Sequence, residues 1–210
     1  MIKNNFAELN HSAMKLVIAS QNQHKIDEFQ QILSPILQIV PINLVIKNLD
    51  ELPETGSTLL ENARQKCHFV HQLTQMDCFA DDSGLEIEAL HGAPGVYSAR
   101  YAGEEKNHQA NIKKVLTELH LKSNRKACFV TVISAMINGN RFDVTGKIEG
   151  EILLEPKGNS GFGYDPIFKP NGFDMSFAQM DAEQKNKLSH RAQAAQLFLK
   201  EIRIRFNLLL

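Results

Sequence analysis

Five stretches of the chain carry residue types whose spacing fits chemistry. In the first, Ser20-Gln21-Asn22-Gln23-His24-Lys25 follows the apolar run Leu16-Val17-Ile18-Ala19 and opens a helical pattern. The first amides of a helix have no partner within it and favour an anion, and Ser20, Asn22 and Lys25 would add donors and a charge. The stretch lacks the glycines of a Walker loop or a dinucleotide fingerprint, so neither applies. Ser20 or Asn22 as a plain helix cap is the competing reading. In the second, Asp81-Asp82-Ser83-Gly84 lies in a gap without Lys or Arg between Lys66 and Arg100, shared with Asp77, Glu86 and Glu88. Carboxylates crowded together without basic partners are unfavourable unless they are solvated or hold a cation. Mg2+ is commonly held by one or two carboxylates plus substrate phosphates. Neighbours on a strand point to opposite faces, so Asp81 and Asp82 share a site only if the strand has ended, as Ser83-Gly84 indicates. An acidic turn in water is the alternative.

The third stretch joins Glu54-Thr55-Gly56 to Glu61, Asn62 and Lys66, with Glu61 equally suited to a capping box. The fourth is Gly158-Asn159-Ser160-Gly161-Phe162-Gly163-Tyr164-Asp165-Pro166. Its glycines admit a ligand close to the backbone, Phe162 and Tyr164 offer ring faces, and Asp165 offers an acceptor; a turn with packed rings is the alternative. The fifth is Lys185, Lys187, His190 and Arg191, where a long helix would begin. Arg gives forked contacts to a phosphate or a carbonyl edge, although a solvated helix face would look the same. Together the five point to a polyphosphate, a divalent cation and a planar ring.

These groups need elements to position them. Lys15–Ala19 reads as a buried strand, and Ile26, Phe29 and Leu33 mark a helix over Lys25–Leu33 that Pro35 stops. A second strand covers Leu37–Val45, interrupted by Pro41. Thr58 and Glu61 form a capping box for a helix running to about Leu73, with Leu59, Ala63, Cys67 and Val70 as its buried stripe. Cys78-Phe79-Ala80 leads into the acidic cluster, and Leu85–Glu88 alternates like a separate half-buried strand. His91–Gly103 reads as a loop. Ile112, Val115, Leu116 and Leu119 mark another helix. Asn138-Gly139-Asn140 joins two β-rich runs, Cys128–Ile137 and Arg141–Leu154, as a hairpin. From Ser176 the pattern is helical, with Ala192, Ala195, Leu199, Ile202 and Phe206 as the stripe of the last long helix. Early alternation of strands and helices, followed by an antiparallel pair, predicts an α/β fold with a mixed sheet and flanking helices.

The composition narrows the function. The 210 residues hold 23 Lys+Arg and 24 Asp+Glu, a net charge of −1, with 43% hydrophobic and 22% charged residues. That is a globular composition, long enough for one domain with a real core. Near-neutral charge argues against nucleic acid and anionic membrane as partners. No apolar run approaches the roughly 20 residues of a membrane span, and Leu16–Ala19 is too short for a signal-peptide core. Three cysteines, Cys67, Cys78 and Cys128, without CxxC spacing fit a reducing cytoplasm rather than a disulfide framework or a zinc site. Residues 1–14 are polar and non-periodic and read as a loose extension, leaving 15–210 as the domain.

The strings ASQNQHKIDEF, ENARQKC, ADDSGLEIEALHGAPGVYSARYAG, GNSGFGYDPIF and AEQKNKLSHRAQA, in this order and spacing, resemble the noncanonical purine nucleoside triphosphate pyrophosphatases, the inosine/xanthosine triphosphatase (Ham1-like) family. The match runs from about Lys15 to the C-terminus. The resemblance implies an elongated, two-lobed single domain with a twisted sheet and a central cleft. It implies cleavage of the α–β phosphoanhydride of ITP, dITP and XTP, with Mg2+ as cofactor, in a cytoplasmic homodimer. By the same resemblance, Ser20 to Lys25 (Ser20, Gln21, Asn22, Gln23, His24, Lys25) hold the triphosphate and Lys66 assists. Asp82 is proton acceptor and metal ligand, with Asp81 and Glu54 near the metal, and Ser83 touches substrate. Phe162, Gly163, Tyr164, Asp165, Lys185, His190 and Arg191 surround the nucleoside. The family's first motif commonly reads Thr-Gly-Asn, where this chain has Ser20-Gln21-Asn22. A pyrophosphatase of other nucleotides and a non-catalytic nucleotide-binding regulator are the alternatives.

Overall fold

Strand β1 (Met14–Ile18) is apolar at successive positions because both of its faces are covered. Leu16 and Ile18 enter one core with Phe29, Phe79 and Phe198, while Val17 and Ala19 enter another with Ile42, Cys67 and Cys78. A central parallel strand reads this way because helices lie on both sides of it. The computed structural model describes residues 14–34 and 36–207. The expected extension lies, apart from Met14, outside the described residues, as does the expected stop at Pro35; Met14 is the first residue of β1.

The remaining strands are β2 (Leu37–Pro41), β3 (Cys78–Ile87), β4 (Lys126–Ile137), β5 (Asn140–Ile152) and β6 (Phe168–Pro170). They form one mixed sheet in the order β2-β1-β3-β4-β5-β6, parallel across β2-β1-β3 and antiparallel from β3 onward. β2 stops at Pro41 instead of reaching Val45: the chain turns into a short 3-10 segment, Ile42–Leu44, directly after the proline. The β4–β5 hairpin turns at Asn138 and Gly139, at φ 47° and 72°, the paired positive values of a type I′ turn. Helices α1 (Gln23–Leu33) and α5 (His190–Phe206) share the core on one face, and α2 (Leu59–Thr74) covers the other. α3 (His108–Glu118) packs on the far end of β3 and on β6 in a third core. The C-terminal helical pattern is divided, with α4 (Ala182–Leu188) separated from α5 by Ser189, whose side chain caps α5. Among the described residues no helix is long and apolar enough to cross a membrane.

Ser83-Gly84 does not end a strand, contrary to the sequence reading. β3 pairs with β4 at every position from Cys78 to Ile87, so two expected segments are one. Ser83 meets Thr131 hydroxyl to hydroxyl at 2.8 Å across the ladder. Gly84 is there for close packing: a Cβ would collide with the carbonyl of Gly95, whose segment lies against the strand. β1 pairs with β3 only at Cys78 and Phe79. The other edge of β3 is covered again near Leu85, whose amide donates to Ser98 Oγ at 2.8 Å. Between these points a cleft of about 660 Å³ opens beside Asp82, Ser83 and Gly84.

Candidate active site

One end of the cleft is built for an anion. Asn22 caps α1, accepting the Lys25 amide at 3.3 Å, and Ser20 Oγ accepts the Asn22 amide at 3.3 Å. The cap reading therefore holds for Asn22, and it leaves the amides of Gln23 and His24 without an intrahelical partner at the helix N-terminus. Ser20, Gln21, Asn22 and Lys25 line the cleft. The Gln23 carboxamide is taken by Asp27 at 2.6 Å, so only its amide is available there. His24 reaches across to stack on Phe162, with ring centres 5.1 Å apart and planes 12° from parallel.

Strand alternation splits the two aspartates. Asp82 faces α2, where Lys66 Nζ and Asn62 Nδ2 each donate to it at 3.2 Å. Lys66 also bonds Glu54 at 2.5 Å, and Arg100 approaches Glu54 at 3.5 Å. Burial raises the Asp82 carboxyl above the usual carboxylate range, outweighing the pull of Lys66 and Lys25. Burial alone would depress Lys66, yet Asp82 and Glu54 raise it, so the ammonium stays charged. Glu61 takes no part: it closes the capping box with the amides of Ser57 and Thr58. Among the described residues no three His, Cys, Asp or Glu side chains gather closely enough to cage a metal. Glu54 and Asp82 are nevertheless a pair of oxygen donors beside one ammonium in an open cleft. That donor set fits a hard cation that completes its shell with substrate phosphates and water.

Asp81 points the other way and is fully buried, 2.9 Å from Lys25 and 4.0 Å from Arg191, and it accepts the Ser83 hydroxyl at 2.9 Å. Burial opposes its ionisation, but Lys25, Arg191 and Lys66 outweigh burial and hold its carboxyl at about 2. A carboxyl depressed in the folded state stabilises the fold at pH values above its unfolded pKa near 4. That contribution, on the order of 2 kcal/mol, is lost as pH falls from about 4 toward 2. Urea unfolding between pH 2 and 6 should show this loss in the wild type and a flatter dependence in Asp81→Asn. Parallel profiles for the two proteins would contradict the assignment.

The other end of the cleft is built for a ring. Asp165 is buried, accepts the Phe162 amide at 2.9 Å and meets Lys185 Nζ at 2.6 Å. Burial raises its carboxyl, against the pull of Lys185. Phe162 lies under Lys185 and Arg191, 5.1 and 5.5 Å from its ring centre, and the Gly163 amide donates to His108 Nδ1 at 2.9 Å. Tyr164 is a core residue whose hydroxyl donates to the Ser98 carbonyl at 2.9 Å. His190 is buried and stacks on Phe129 at 4.6 Å; burial, then Arg191 and Lys185, keep it neutral. Arg191 is almost completely buried, paired with Glu28 and 3.3 Å from Ser83 Oγ. His190 Nδ1 and Arg191 Nε have no partner although both are buried. Lys187 is exposed and pairs with Glu183.

The sequence reading placed Asn62 in the third stretch without a role, and it overlooked three residues, Glu28, Arg100 and His108. Glu28 holds both Lys185, at 2.8 Å, and Arg191, and its place three residues after Lys25 on one helix face was the available signal. Asn62 orients Asp82 and Arg100 screens Glu54. His108 closes on the glycine-rich loop, and no sequence signal marks it. A second depression of about 710 Å³ beside Arg125 offers no such set, because the Arg125 guanidinium is spent on the carbonyls of Leu119, Ile152 and Leu153.

The model of the Ham1 family matches residues 16–201. The chain is 49% identical over 181 residues to the dITP/XTP pyrophosphatase of Christiangramia forsetii, covering 86% of this chain and 95% of that protein. Among solved structures, the Ham1 protein of Staphylococcus aureus superposes with a TM-score of 0.81 at 43% identity, over 90% of this chain and 97% of the other. A HAM1 protein from Coxiella burnetii gives 0.82 at 39% identity, over 90% and 98%.

Proposed function

The chain belongs to the Ham1 family, and we propose that it hydrolyses noncanonical purine nucleoside triphosphates at the α–β phosphoanhydride, releasing monophosphate and pyrophosphate. The observation that carries this reading is the pairing, in one cleft, of Lys66, Asp82 and Glu54 with Phe162, His190 and Arg191. Lys25, Lys66 and the open amides of α1 hold the phosphates and offset the charge that develops on departing pyrophosphate. Asp82, raised by burial and oriented by Asn62, takes the proton of the attacking water. Asp81 stands behind Lys25 as its counter-charge. Glu54 and Asp82 would hold Mg2+, which supplies charge neutralisation at the phosphates when bound. A homodimer and a cytoplasmic location go with this reading, and sedimentation equilibrium decides the first.

Selectivity follows from the closed end. A 6-keto purine presents an acceptor where adenine presents an amino donor. A donor of the cleft wall facing that oxygen, the Arg191 guanidinium or a backbone N–H, would be satisfied by the first and left unpaired by the second. Such a mismatch costs a few kcal/mol, so kcat/KM for dITP or XTP should exceed that for ATP by at least about 10²-fold. A panel of dITP, XTP, ATP and GTP with Mg2+, read by pyrophosphate and by monophosphate, tests this. Equal rates would remove the selectivity and favour a general pyrophosphatase. Inorganic phosphate as first product would remove α–β cleavage. Tight dITP binding without turnover would favour a regulator.

A further inference from the structure

We infer that Gln21 is a positioning residue that fixes the segment carrying Glu54; the inference rests on the function proposed above. After the 3-10 segment Ile42–Leu44, the chain has no regular structure until Thr58 caps α2. On the far side of Glu54 this segment is anchored by α2, through Thr55 N to Gln65 Oε1 at 3.0 Å and Gly56 N to Asn62 Oδ1 at 2.7 Å. On the near side, Gln21 Nε2 donates to the carbonyls of Leu49 and Asp50, both at 3.2 Å, and Gln21 Oε1 accepts the Leu52 amide at 3.3 Å. Among the described residues, Gln21 is the one side chain from outside the segment that bonds its main chain between 47 and 53. The other polar tie, Glu51 to Lys106 at 2.6 Å, is an exposed ion pair that contributes little. Gln21 therefore spends both ends of its carboxamide on the segment. It couples the loop that receives the phosphates to the carboxylate that sits on Lys66.

The consequence is kinetic as well as structural. Without the clamp, Glu54 approaches Lys66 from a looser tether, while Lys25, Lys66 and the α1 amides still bind phosphate. The loss should fall on kcat, because a positioned group was removed rather than a substrate contact. The test is Gln21→Met, which keeps the length of the side chain and removes the donor and the acceptor without adding charge. In the metal-free, substrate-free protein, hydrogen exchange at the Leu52 amide should quicken about tenfold, the scale of a few solvent-exposed bonds lost together. Turnover of dITP should fall about tenfold in kcat with KM within about threefold. Unchanged exchange overturns the clamp. Faster exchange with unchanged kcat overturns its link to the chemistry. A rise in KM alone would make Gln21 a substrate contact and overturn the inference. Absence of turnover in the wild type would overturn the proposed function, while the exchange result would still decide whether the clamp exists.

Discussion

Asp82→Asn should lower kcat for dITP about 10²–10⁴-fold, the range of one positioned general base. The substitution preserves shape and removes the ability to take a proton. Its effect on folding is bounded by two opposing terms. The wild-type carboxylate accepts from Lys66 and from Asn62, and the Asn62 amide cannot turn over, since its oxygen already accepts the Gly56 amide. An asparagine at 82 therefore points its NH2 at one of two donors, a mismatch of about 1–3 kcal/mol. Against this, burial disfavours the charge that is removed. The net change should leave the melting temperature within about 5 °C, by the 2–4 °C per kcal/mol of a chain this size. Pyrophosphate release and a thermal melt on the same sample check both halves. Near-normal turnover would take Asp82 out of the mechanism.

The split between Asp81 and Asp82 shows what the sequence could and could not carry. Residue types and order announced a phosphate end, an acidic wall and a ring end, and the hairpin at Asn138-Gly139 was legible because a two-residue turn needs positive φ at both positions. The continuity of β3 was not legible. Asp-Asp-Ser-Gly reads as a turn, and only the pairing with β4 and the approach of Gly95 make it a strand. Local propensity was overridden by tertiary contact. The roles of the two carboxylates then follow from parity: odd positions of β3 face Lys25 and Arg191, even positions face Lys66. The overall charge of −1 conceals this arrangement, since basic residues near the C-terminus meet acids from α1 and β3 at one cleft. Glu28 illustrates the remainder. It lies 163 positions from Arg191 along the chain, a pairing that no local spacing reveals.

Gly146→Ala should destabilise the fold strongly through a single methyl, and it touches no site residue by side chain. Gly146 lies in β5 opposite Thr131, beneath the first turn of α5. A Cβ there would run into the amide nitrogen of Ala194 and the carbonyl of His190, with the Ala194 Cα at 2.8 Å. These are backbone atoms, so no rotamer change relieves the overlap, and the helix must lift from the sheet. Overpacking of this kind costs typically 1–3 kcal/mol and occasionally more. The lifted turn is the one that holds His190 against Phe129 and Arg191 against Glu28 and Ser83. A displacement of about 1 Å at a positioned group can cost 10²-fold in rate. Gly146→Ala should therefore unfold at lower urea with an unchanged m-value and lose kcat/KM for dITP at a temperature where it is still folded. Selectivity over ATP should shrink with it, because the Arg191 donor is moved. A variant that melts early yet keeps full selectivity would show that the end of the cleft near α5 does not read the base.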